Sequence, residues 1–459
     1  MFTLEDNGLT GKVIWPFDPD YERARQEYNR AINAFPVAIV YCFNQRDVAN
    51  AIQWAQQHQI RLRVRSGGHN YTGYSTGTGT LVIDTTYLNR IEVDTDNDVV
   101  TVGAGTRLRK LYDILYRHGY AFPGGTCPTV AIAGLVLGGG IGLSTRLLGL
   151  TSDSLIEAEM VNANGEVIIA NQKRNPDLFW ALRGAGGGNF GVVTSFTFAL
   201  KKKVDKITVI QLKWDHNRPA RFEFLRIWQD WLENLDSRIS AFGRVYQEGV
   251  FFFAFFYGLP EAAEAILAPI LSISGLTLRS IEYVDYIDAI NMIGSIYPRS
   301  DRFVDTGRFV YRQLDRNELE NIIELLDNAP SDTDSLIKVY SLGGAVDAVS
   351  SDKTAYYYRM AKYIIAISSS WRTQDEALIN KLWVAQGFRY IKKLTCGSYV
   401  NFPYRRLADY LMAYYGRHVK VLQKIKLRYD PRNIFSFPQG IRPLYRVEKG
   451  RIDGEYSHG

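Results

Sequence analysis

The chain has 459 residues, of which 46% are hydrophobic and 22% charged, and these values exclude a disordered protein and allow two or three folded domains. Its formal net charge of +6 is spread along the sequence without a basic stripe interleaved with aromatic residues, so we expect no nucleic-acid partner. Three scattered cysteines, Cys42, Cys127 and Cys396, are too few for a disulfide framework or a zinc site, and no metal site is predicted.

No targeting or membrane segment is evident. The N-terminal residues lack a basic segment followed by an apolar one, which predicts the absence of a signal peptide and a cytoplasmic location. The longest weakly polar stretch, TVAIAGLVLGGGIGL (129–143), is short and interrupted by glycine, so we expect no membrane partner. The sequence does not predict an oligomeric state.

The first 203 residues combine glycine-rich loops with short strands and helices. Helical spacing of apolar residues predicts helices over 46–58 and over 107–119, the second ending at Gly119. RLRVRSGG (61–68) and TLVIDTTYL (80–88) indicate strands around a loop. A hairpin is predicted over 91–105, and a second over 157–170, where the pair Asn164–Gly165 suits a type I′ turn.

Residues 206–394 have long strands and helices with few glycines, which is typical of an α+β domain. Strands are predicted at 206–214, 249–258 and 362–371, and helices at 219–235, 260–271 and 316–328. A helix over 404–416 is expected to run on through 418–429 and to stop at YDPRNIF (429–435).

Two glycine-rich segments are the main candidates for ligand binding. They are RVRSGGHNYTGYSTGTG (63–79) and PGGTCPTVAIAGLVLGGGIGLSTRLLGLTSDSL (123–155). Glycines let backbone N–H groups approach an anion closely. Neither segment contains GxxxxGK[ST], and neither has GxGxxG at a strand-to-helix turn with an acid about 20 residues further on. From composition alone, a phosphate-bearing cofactor and plain turns are both open.

Four motifs in a fixed order narrow these alternatives. RSGGHNYTGYS, GGTCPTVAIAGLVLGGGIG, LFWALRGAGGGNFGVV and the ending YDPRNIF together resemble the berberine-bridge-enzyme-like family of FAD-linked oxidases, in a bacterial member. The resemblance implies an α+β flavoprotein of two domains. An FAD-binding domain of the vanillyl-alcohol-oxidase (PCMH) type would comprise 1–203 and 395–459. A substrate-binding domain, 204–394, would cover the isoalloxazine ring with an antiparallel sheet.

The resemblance also implies that the flavin is attached by two covalent bonds. In this family the histidine of RSGGH bonds to the 8α-methyl carbon and the cysteine of GGxC bonds to C6, which correspond to His69 and Cys127. Both ring positions lie on the benzenoid edge, so two loops could hold that edge while N5 faces the substrate. Outside these motifs, His69 would be interpreted as a turn residue and Cys127 as a small apolar group.

Further cofactor contacts follow from the same motifs. We expect the pyrophosphate and the ring edge to contact Arg65, Ser66, Gly67, Gly68, Asn70 and Ser75. The backbone would run beside the cofactor at Gly134, Gly138, Gly139 and Gly142, and the adenine would meet Gly191 and Val192. The predicted set is completed by Thr126, Val130, Ile132, Asn401 and Gln439, of which Ile132 would stand where the family controls access of oxygen to the flavin.

The predicted catalytic residues are Tyr399, Asn401 and Tyr358. The family motif Tyr-x-Asn-Tyr reads YVNF at 399–402, so Tyr399 is the base if the first tyrosine acts, whereas Phe402 leaves the chain without one if the last does. A tyrosine pKa near 10 must be lowered for this role, and a packing role for Tyr399 is the alternative. Tyr358, in AYYYR, stands where other members have histidine, and Leu148 stands where some have tyrosine.

The resemblance implies oxidation of a small molecule bearing a hydroxyl group, either a sugar or a secondary metabolite. A hydride would pass to flavin N5 while Tyr399 removes the O–H proton, and O₂ would take the electrons to give hydrogen peroxide. A dehydrogenase with another acceptor is the alternative that a bulky Ile132 favours, and an oxidative cyclase is also open. A binding or structural protein that has lost turnover is the alternative that Phe402 and Leu148 favour.

Overall fold

A computed structural model describes residues 8–330 and 334–445. Residues 1–7 and 446–459 of the predicted FAD-binding domain lie outside this range. The first part of the chain forms β1 Lys12–Ile14, α1 Tyr21–Ala24, β2 Ala38–Tyr41, α2 Gln45–Gln57, β3 Leu62–Arg65, β4 Leu81–Asp84, β5 Ile91–Asp94, β6 Val99–Gly103, α3 Leu108–Arg117, β7 Tyr120–Ala121, α4 Ile132–Leu137, α5 Thr145–Leu148, β8 Leu155–Val161, β9 Val167–Asn171, α6 Pro176–Ala181, β10 Val192–Ala199 and β11 Lys201–Lys202.

The rest of the described chain forms long strands interleaved with helices, followed by two C-terminal helices. In order, they are β12 Lys206–Trp214, α7 Arg218–Leu232, β13 Ile239–Tyr246, β14 Val250–Phe256, α8 Pro260–Leu271, β15 Leu278–Asp285, α9 Tyr286–Ser295, β16 Phe303–Asp305, β17 Arg308–Val310, α10 Arg316–Asp327, β18 Asp334–Ser341, β19 Tyr363–Ser370, α11 Ala377–Leu394, β20 Cys396–Ser398, α12 Tyr410–Tyr415 and α13 Val419–Tyr429. In the described ranges, every helix is too short or too polar to traverse a bilayer.

Two small sheets carry the glycine-rich loops. In the first, ordered β1-β2-β4-β3, strands β2, β3 and β4 are parallel, and the loop that begins RSGGH leaves β3 at its carboxyl end. The second sheet is antiparallel and ordered β5-β6-β10-β8-β9. The predicted helices α2 and α3 and both predicted hairpins are confirmed, and Gly119 has the positive φ of +83° expected after a helix end.

A third, large antiparallel sheet runs in the order β15-β12-β14-β13-β18-β19-β17-β20, with β16 paired to β19. Side chains alternate across it: odd-numbered residues such as Ile337, Val339 and Ile367 enter the hydrophobic core, where helices α7, α10 and α11 pack. Even-numbered residues of β13, β18 and β19 face the glycine-rich loops. One face of this sheet is therefore free to form the wall of a cavity.

Two local predictions differ from the structure. Asn164 lacks the positive φ that a type I′ turn requires, and the hairpin instead turns through an Asn162 side chain that accepts from the amides of Asn164 and Glu166. The predicted long C-terminal helix is divided, because Gly416 has a φ of +50° between α12 and α13. The large sheet extends to Ser398 in β20, and the domain boundary at 394 stays a prediction.

Candidate active site

A cavity of about 490 Å³ lies between the glycine-rich loops and the large sheet. One wall comes from the loop after β3 and from the loop that leads into α4. A second wall comes from Gly186–Gly191 and the C-terminal segment 435–439. The third wall is the free face of the large sheet together with residues 400–403.

The two residues predicted to attach the flavin converge at this cavity. The Nε2 atom of His69 lies 3.0 Å from the hydroxyl oxygen of Thr129, and the Sγ atom of Cys127 lies 3.5 Å from the same oxygen. The imidazole nitrogen and the thiol are therefore no further apart than the sum of these two distances. The His69 ring also stacks on Tyr28, with ring centroids 4.2 Å apart, which fixes its plane.

The imidazole of His69 is neutral over the physiological range. Burial lowers the pKa of His69 to about 4, and the positive charge of Arg107 acts in the same direction. A neutral imidazole retains a free lone pair on one ring nitrogen, which a covalent bond to an electrophilic carbon requires.

Glycines keep the cavity open where a side chain would fill it. A Cβ atom added at Gly134 would project into open space on the cavity side, with no atom within 4 Å. A Cβ at Gly67 would come within 2.7 Å of the backbone nitrogen of Ala131, so the two glycine-rich loops touch through their backbones. This close approach requires glycine at position 67.

The sequence analysis missed three cavity residues, Gly186, Gly187 and Gly188. They line the wall opposite the loop after β3, and Gly186 and Gly188 have positive φ values of +84° and +72°. The signal was present in the run GAGGGN, because consecutive glycines at positive φ are the usual way to bring backbone next to a ligand.

Arg65 supports the loop after β3 and does not line the main cavity. Its Nε donates to Asp84 at 2.5 Å, its Nη1 lies 3.5 Å from Glu27, and its side chain is only 5% exposed. Ser75 donates to Glu27 at 3.0 Å, so the carboxylate joins the two ends of the loop. Burial raises the pKa of Glu27. The Arg65 guanidinium is therefore used in this buried ion pair, and its role as a direct cofactor contact stays a prediction.

Most of the remaining predicted cofactor residues lie on the cavity wall. The structure places there Ser66, Gly67, Gly68, His69, Asn70, Ser75, Cys127, Val130, Gly134, Gly191, Asn401 and Gln439. The predicted residues that do not reach the wall are Arg65, Thr126, Ile132, Gly138, Gly139, Gly142 and Val192.

The predicted cofactor residues that do not line the cavity have identifiable packing roles. Ile132 and Val192 are fully buried in hydrophobic clusters, whereas Val130, Ala131 and Ala133 lie on the cavity wall. The influence of Ile132 on access of oxygen stays a prediction. The three glycines support neighbouring groups: a Cβ would meet Asn401 at Gly138, Tyr356 at Gly139 and the carbonyl of Gly124 at Gly142. The hydroxyl groups of Thr126 and Tyr297 are bonded to each other at 2.6 Å.

Tyr399 does not line the cavity. Its hydroxyl oxygen accepts from the backbone amide of Gly140 and from the Asn401 side chain, both at 3.1 Å, and the residue is 2% exposed. Burial raises the pKa of Tyr399 to about 12, which is the opposite of what a base near neutral pH requires. These contacts favour the packing alternative, and the role of Tyr399 as the catalytic base stays a prediction.

Tyr358 is also removed from the cavity. Its hydroxyl donates to the carbonyl of Met412 at 3.0 Å, and its ring stacks on Phe309 with centroids 4.6 Å apart. Both its ring and its hydroxyl are used in packing between α12 and β17, and the catalytic role of Tyr358 stays a prediction.

Asn401 and Gln439 line the cavity through groups that are already hydrogen-bonded on the protein side. The Asn401 amide donates to the carbonyl of Leu135 at 2.9 Å, which fixes its orientation against α4. The Gln439 amide donates to the carbonyl of Tyr404 at 2.9 Å, and its oxygen accepts from Tyr414 at 2.6 Å. Both residues therefore hold the wall rigid at the end of the cavity near the C-terminal segment.

The wall formed by the large sheet is polar and was not identified from the sequence. It presents Arg244, Tyr246, Tyr297, Asp301, Asp305, Lys338, Ser368 and Ser370. The Nζ of Lys338 lies 2.5 Å from Asp305, and Tyr71 stacks on Phe402 with centroids 5.3 Å apart. Alternation of polar and apolar residues in β18 and β19 was the available signal, but it could not show which ligand the polar face meets.

The residues present fit a flavin nucleotide on three observations. The cavity lies between two glycine-rich walls, and Gly134 leaves open space where any side chain would intrude. A nucleophilic nitrogen and a thiol meet at one end of the cavity. Tyr74, which lies on the wall, has a buried hydroxyl without a hydrogen-bond partner, as expected for a group that awaits a ligand.

Comparisons with known proteins agree with this site. A family model described as "FAD binding domain" matches residues 36–171, and one described as "Berberine and berberine like" matches residues 398–442. The FAD-linked oxidoreductase YgaK of Bacillus subtilis is 34% identical over 96% of this chain and 99% of its own length. The chain belongs to the berberine-bridge-enzyme-like family.

Two further relatives of this berberine-bridge-enzyme-like protein extend the comparison. Carbohydrate oxidase of Microdochium nivale is 28% identical, with 94% of this chain and 92% of that protein covered. The solved structure of Physcomitrella patens BBE-like 1 is 28% identical, has a TM-score of 0.91, and covers 96% and 98% of the two chains. The predicted α+β two-domain fold of an FAD-linked oxidoreductase is confirmed.

Proposed function

We propose that this protein carries FAD bound covalently through both His69 and Cys127 and oxidises a hydroxyl group of a small carbohydrate-like substrate, with O₂ as electron acceptor. The observation that carries the proposal is the convergence of the His69 Nε2 and the Cys127 Sγ on the hydroxyl of Thr129 at one end of a glycine-lined cavity.

The residues on the two glycine-rich walls would hold the cofactor. Backbone groups of Ser66–Gly68 and Gly186–Gly188 would bind its polar parts, while Val130 and Ala131 would pack against the ring. Bound FAD would accept two electrons and the hydrogen of a substrate C–H bond. Because the two attachment points lie on one ring edge, the opposite side of the ring would remain open toward the large sheet.

The composition of the opposite wall supports a polyhydroxylated substrate. Arg244, Asp305, Lys338 and Ser368 offer both donors and acceptors, which match the alternating roles of sugar hydroxyls. Tyr71 adds an aromatic face at the same place, and such faces stack on the apolar side of sugar rings. The similarity to a carbohydrate oxidase of Microdochium nivale supports the same class.

We favour O₂ as the electron acceptor, because the dehydrogenase alternative requires a bulky Ile132 side chain to restrict access of oxygen to the flavin. That side chain lies in the hydrophobic core, and the side chains on the wall at this point are the smaller Val130, Ala131 and Ala133. A small side chain leaves room for O₂ beside the ring.

Two measurements test the proposal. Acid-precipitated protein should keep its yellow colour in the pellet. His69→Ala and Cys127→Ala should each retain one bond to the flavin, detected as flavin-bearing peptides by mass spectrometry, and the double variant should release free FAD.

Anaerobic mixing with D-glucose, D-xylose, cellobiose and maltose should bleach the flavin, and air should restore the colour with release of peroxide. Colourless protein, or a flavin that no compound bleaches, contradicts the proposal.

A further inference from the structure

The oxidation of a hydroxyl group requires a protein atom that accepts its proton, and Tyr399 does not reach the cavity. A tyrosine with the ordinary pKa near 10 is a neutral phenol at neutral pH and accepts a proton poorly. Burial raises the pKa further for six of the seven tyrosines on the wall, which are Tyr28, Tyr71, Tyr74, Tyr297, Tyr414 and Tyr415. His69 has its own role in holding the cofactor. A carboxylate, with an ordinary pKa near 4, is the class of acceptor that is ionised at neutral pH.

Three aspartates line the cavity, and their surroundings distinguish them. Asp334 is exposed at the start of β18, where water competes for its carboxylate. Asp301 is fixed through its backbone to Tyr28 and Arg30, and its carboxylate accepts from the adjacent amide of Arg302. Asp305 is 4% exposed although it lines the cavity, so its carboxylate is shielded from bulk water.

The Asp305 carboxylate is held in position and retains capacity for another hydrogen bond. One oxygen accepts from Lys338 Nζ at 2.5 Å and the other from the backbone amide of Thr306 at 2.8 Å. Each carboxylate oxygen has a further lone pair, so a substrate hydroxyl can still donate to it. The Lys338 ammonium is the counter-ion of this buried carboxylate.

Neighbouring rings connect Asp305 with the end of the cavity where Cys127 lies. Tyr71 packs edge-on against Phe303, with ring centroids 5.0 Å apart, and Phe303 lies two residues before Asp305 in β16. Phe303 also contacts Tyr28, on which the His69 ring stacks. Tyr71 stacks on Phe402, which packs against the turn that follows β16. If the thiol is joined to C6 of the flavin, it marks the ring position beside N5, where substrate must react.

We propose that Asp305 is the general base that takes the hydroxyl proton of the substrate. The O–H bond breaks and its proton passes to a carboxylate oxygen of Asp305. The C–H bond on the same carbon breaks, its electron pair and hydrogen leave to the bound flavin, and a C=O bond forms. Lys338 acts as a positioning residue that holds the Asp305 carboxylate in place. This assignment rests on the proposed function.

The test compares Asp305→Asn and Asp305→Ala with Asp375→Asn, a matched control that removes an exposed carboxylate outside the cavity. The rate of flavin reduction by the panel sugar that bleaches the wild type fastest should fall about 10²–10⁴-fold in both Asp305 variants and less than about threefold in the control. Added formate should restore reduction of Asp305→Ala in proportion to its concentration. Calorimetric affinity for D-glucono-1,5-lactone should stay within about threefold, which separates proton transfer from binding.

The outcomes distinguish the two proposals. If the wild type is reduced and Asp305→Asn reacts at a similar rate, the base assignment is wrong and the proposed function stands. Loss of lactone affinity without formate rescue would make Asp305 a substrate-binding residue and also overturn the assignment. If no panel sugar reduces the wild type, the proposed function and the assignment fall together.

Discussion

Replacement of Lys426 by methionine should destabilise the wall of the cofactor cavity far more than an ordinary surface substitution. Lys426 and Asp430 both have fully buried side chains, and the ammonium donates to Asp430 at 2.6 Å and to the carbonyls of Asn189 and Phe435 at 2.5 and 2.7 Å. Asn189 directly follows Gly186–Gly188, so this one cation ties the C-terminal motif to a cavity wall.

The size of the expected destabilisation follows from the Asp430 charge, which loses its counter-ion when Lys426 is replaced. Without Lys426 the Asp430 carboxylate retains only the backbone amides of Ile434 and Phe435, at 2.8 Å each, and has no counter-ion. Removal of one partner from a buried pair costs about 3–5 kcal/mol. At roughly 2–4 °C per kcal/mol for a domain of a few hundred residues, the melting midpoint should fall by roughly 10 °C.

The assay is thermal unfolding followed in parallel by tryptophan fluorescence and by flavin fluorescence. Lys424→Met is the control, because Lys424 lies on the same helix and is exposed. Lys426→Met/Asp430→Asn should recover part of the loss, since the second change removes the unpaired charge. A Lys426→Met midpoint within about 2 °C of the wild type would refute the reasoning.

Three further outcomes are expected. Gly134→Val should fold with a near-native melting midpoint yet bind less flavin, because its side chain enters the open space of the cavity; an unchanged ratio of flavin to protein absorbance would contradict this. Tyr399→Phe should lower stability by about 1–3 kcal/mol in chemical denaturation, because the amides that donate to its hydroxyl lose their acceptor, and should slow flavin reduction less than tenfold. In apoprotein from a riboflavin-starved host, the free energy of unfolding should decline by up to about 3 kcal/mol as the pH falls from about 6.5 to about 4, because the unfolded chain protonates His69 first. His69→Gln should flatten this part of the pH profile of stability. Identical profiles for the wild type and the variant would be evidence against a depressed histidine pKa.

Local features were predictable because they depend on neighbours in the sequence. The period of apolar residues identified α2 and α3, and alternation with turn residues identified both hairpins. The C-terminal helix was predicted too long because the positive φ of Gly416 depends on the Tyr357 ring packed against it, a contact distant in sequence.

The sequence by itself determined which cofactor chemistry to look for. The order of four motifs identified the family, and placed His69 and Cys127 in the loops that meet at Thr129. Each motif is a short segment of consecutive residues that remain together in any fold, so it can be recognised from the sequence without a structure.

Only the tertiary structure decided which side chains face the ligand. Tyr399, Tyr358 and Ile132 stand in or near the right motifs, yet each points into packing, because the direction of a side chain depends on which elements lie on either side of it. Conversely, Asp305 and Lys338 are 33 residues apart and meet only because β16 and β18 both pair with β19. Contacts between strands that are remote in sequence leave no local pattern, and for this reason the polar wall became visible only in the folded chain.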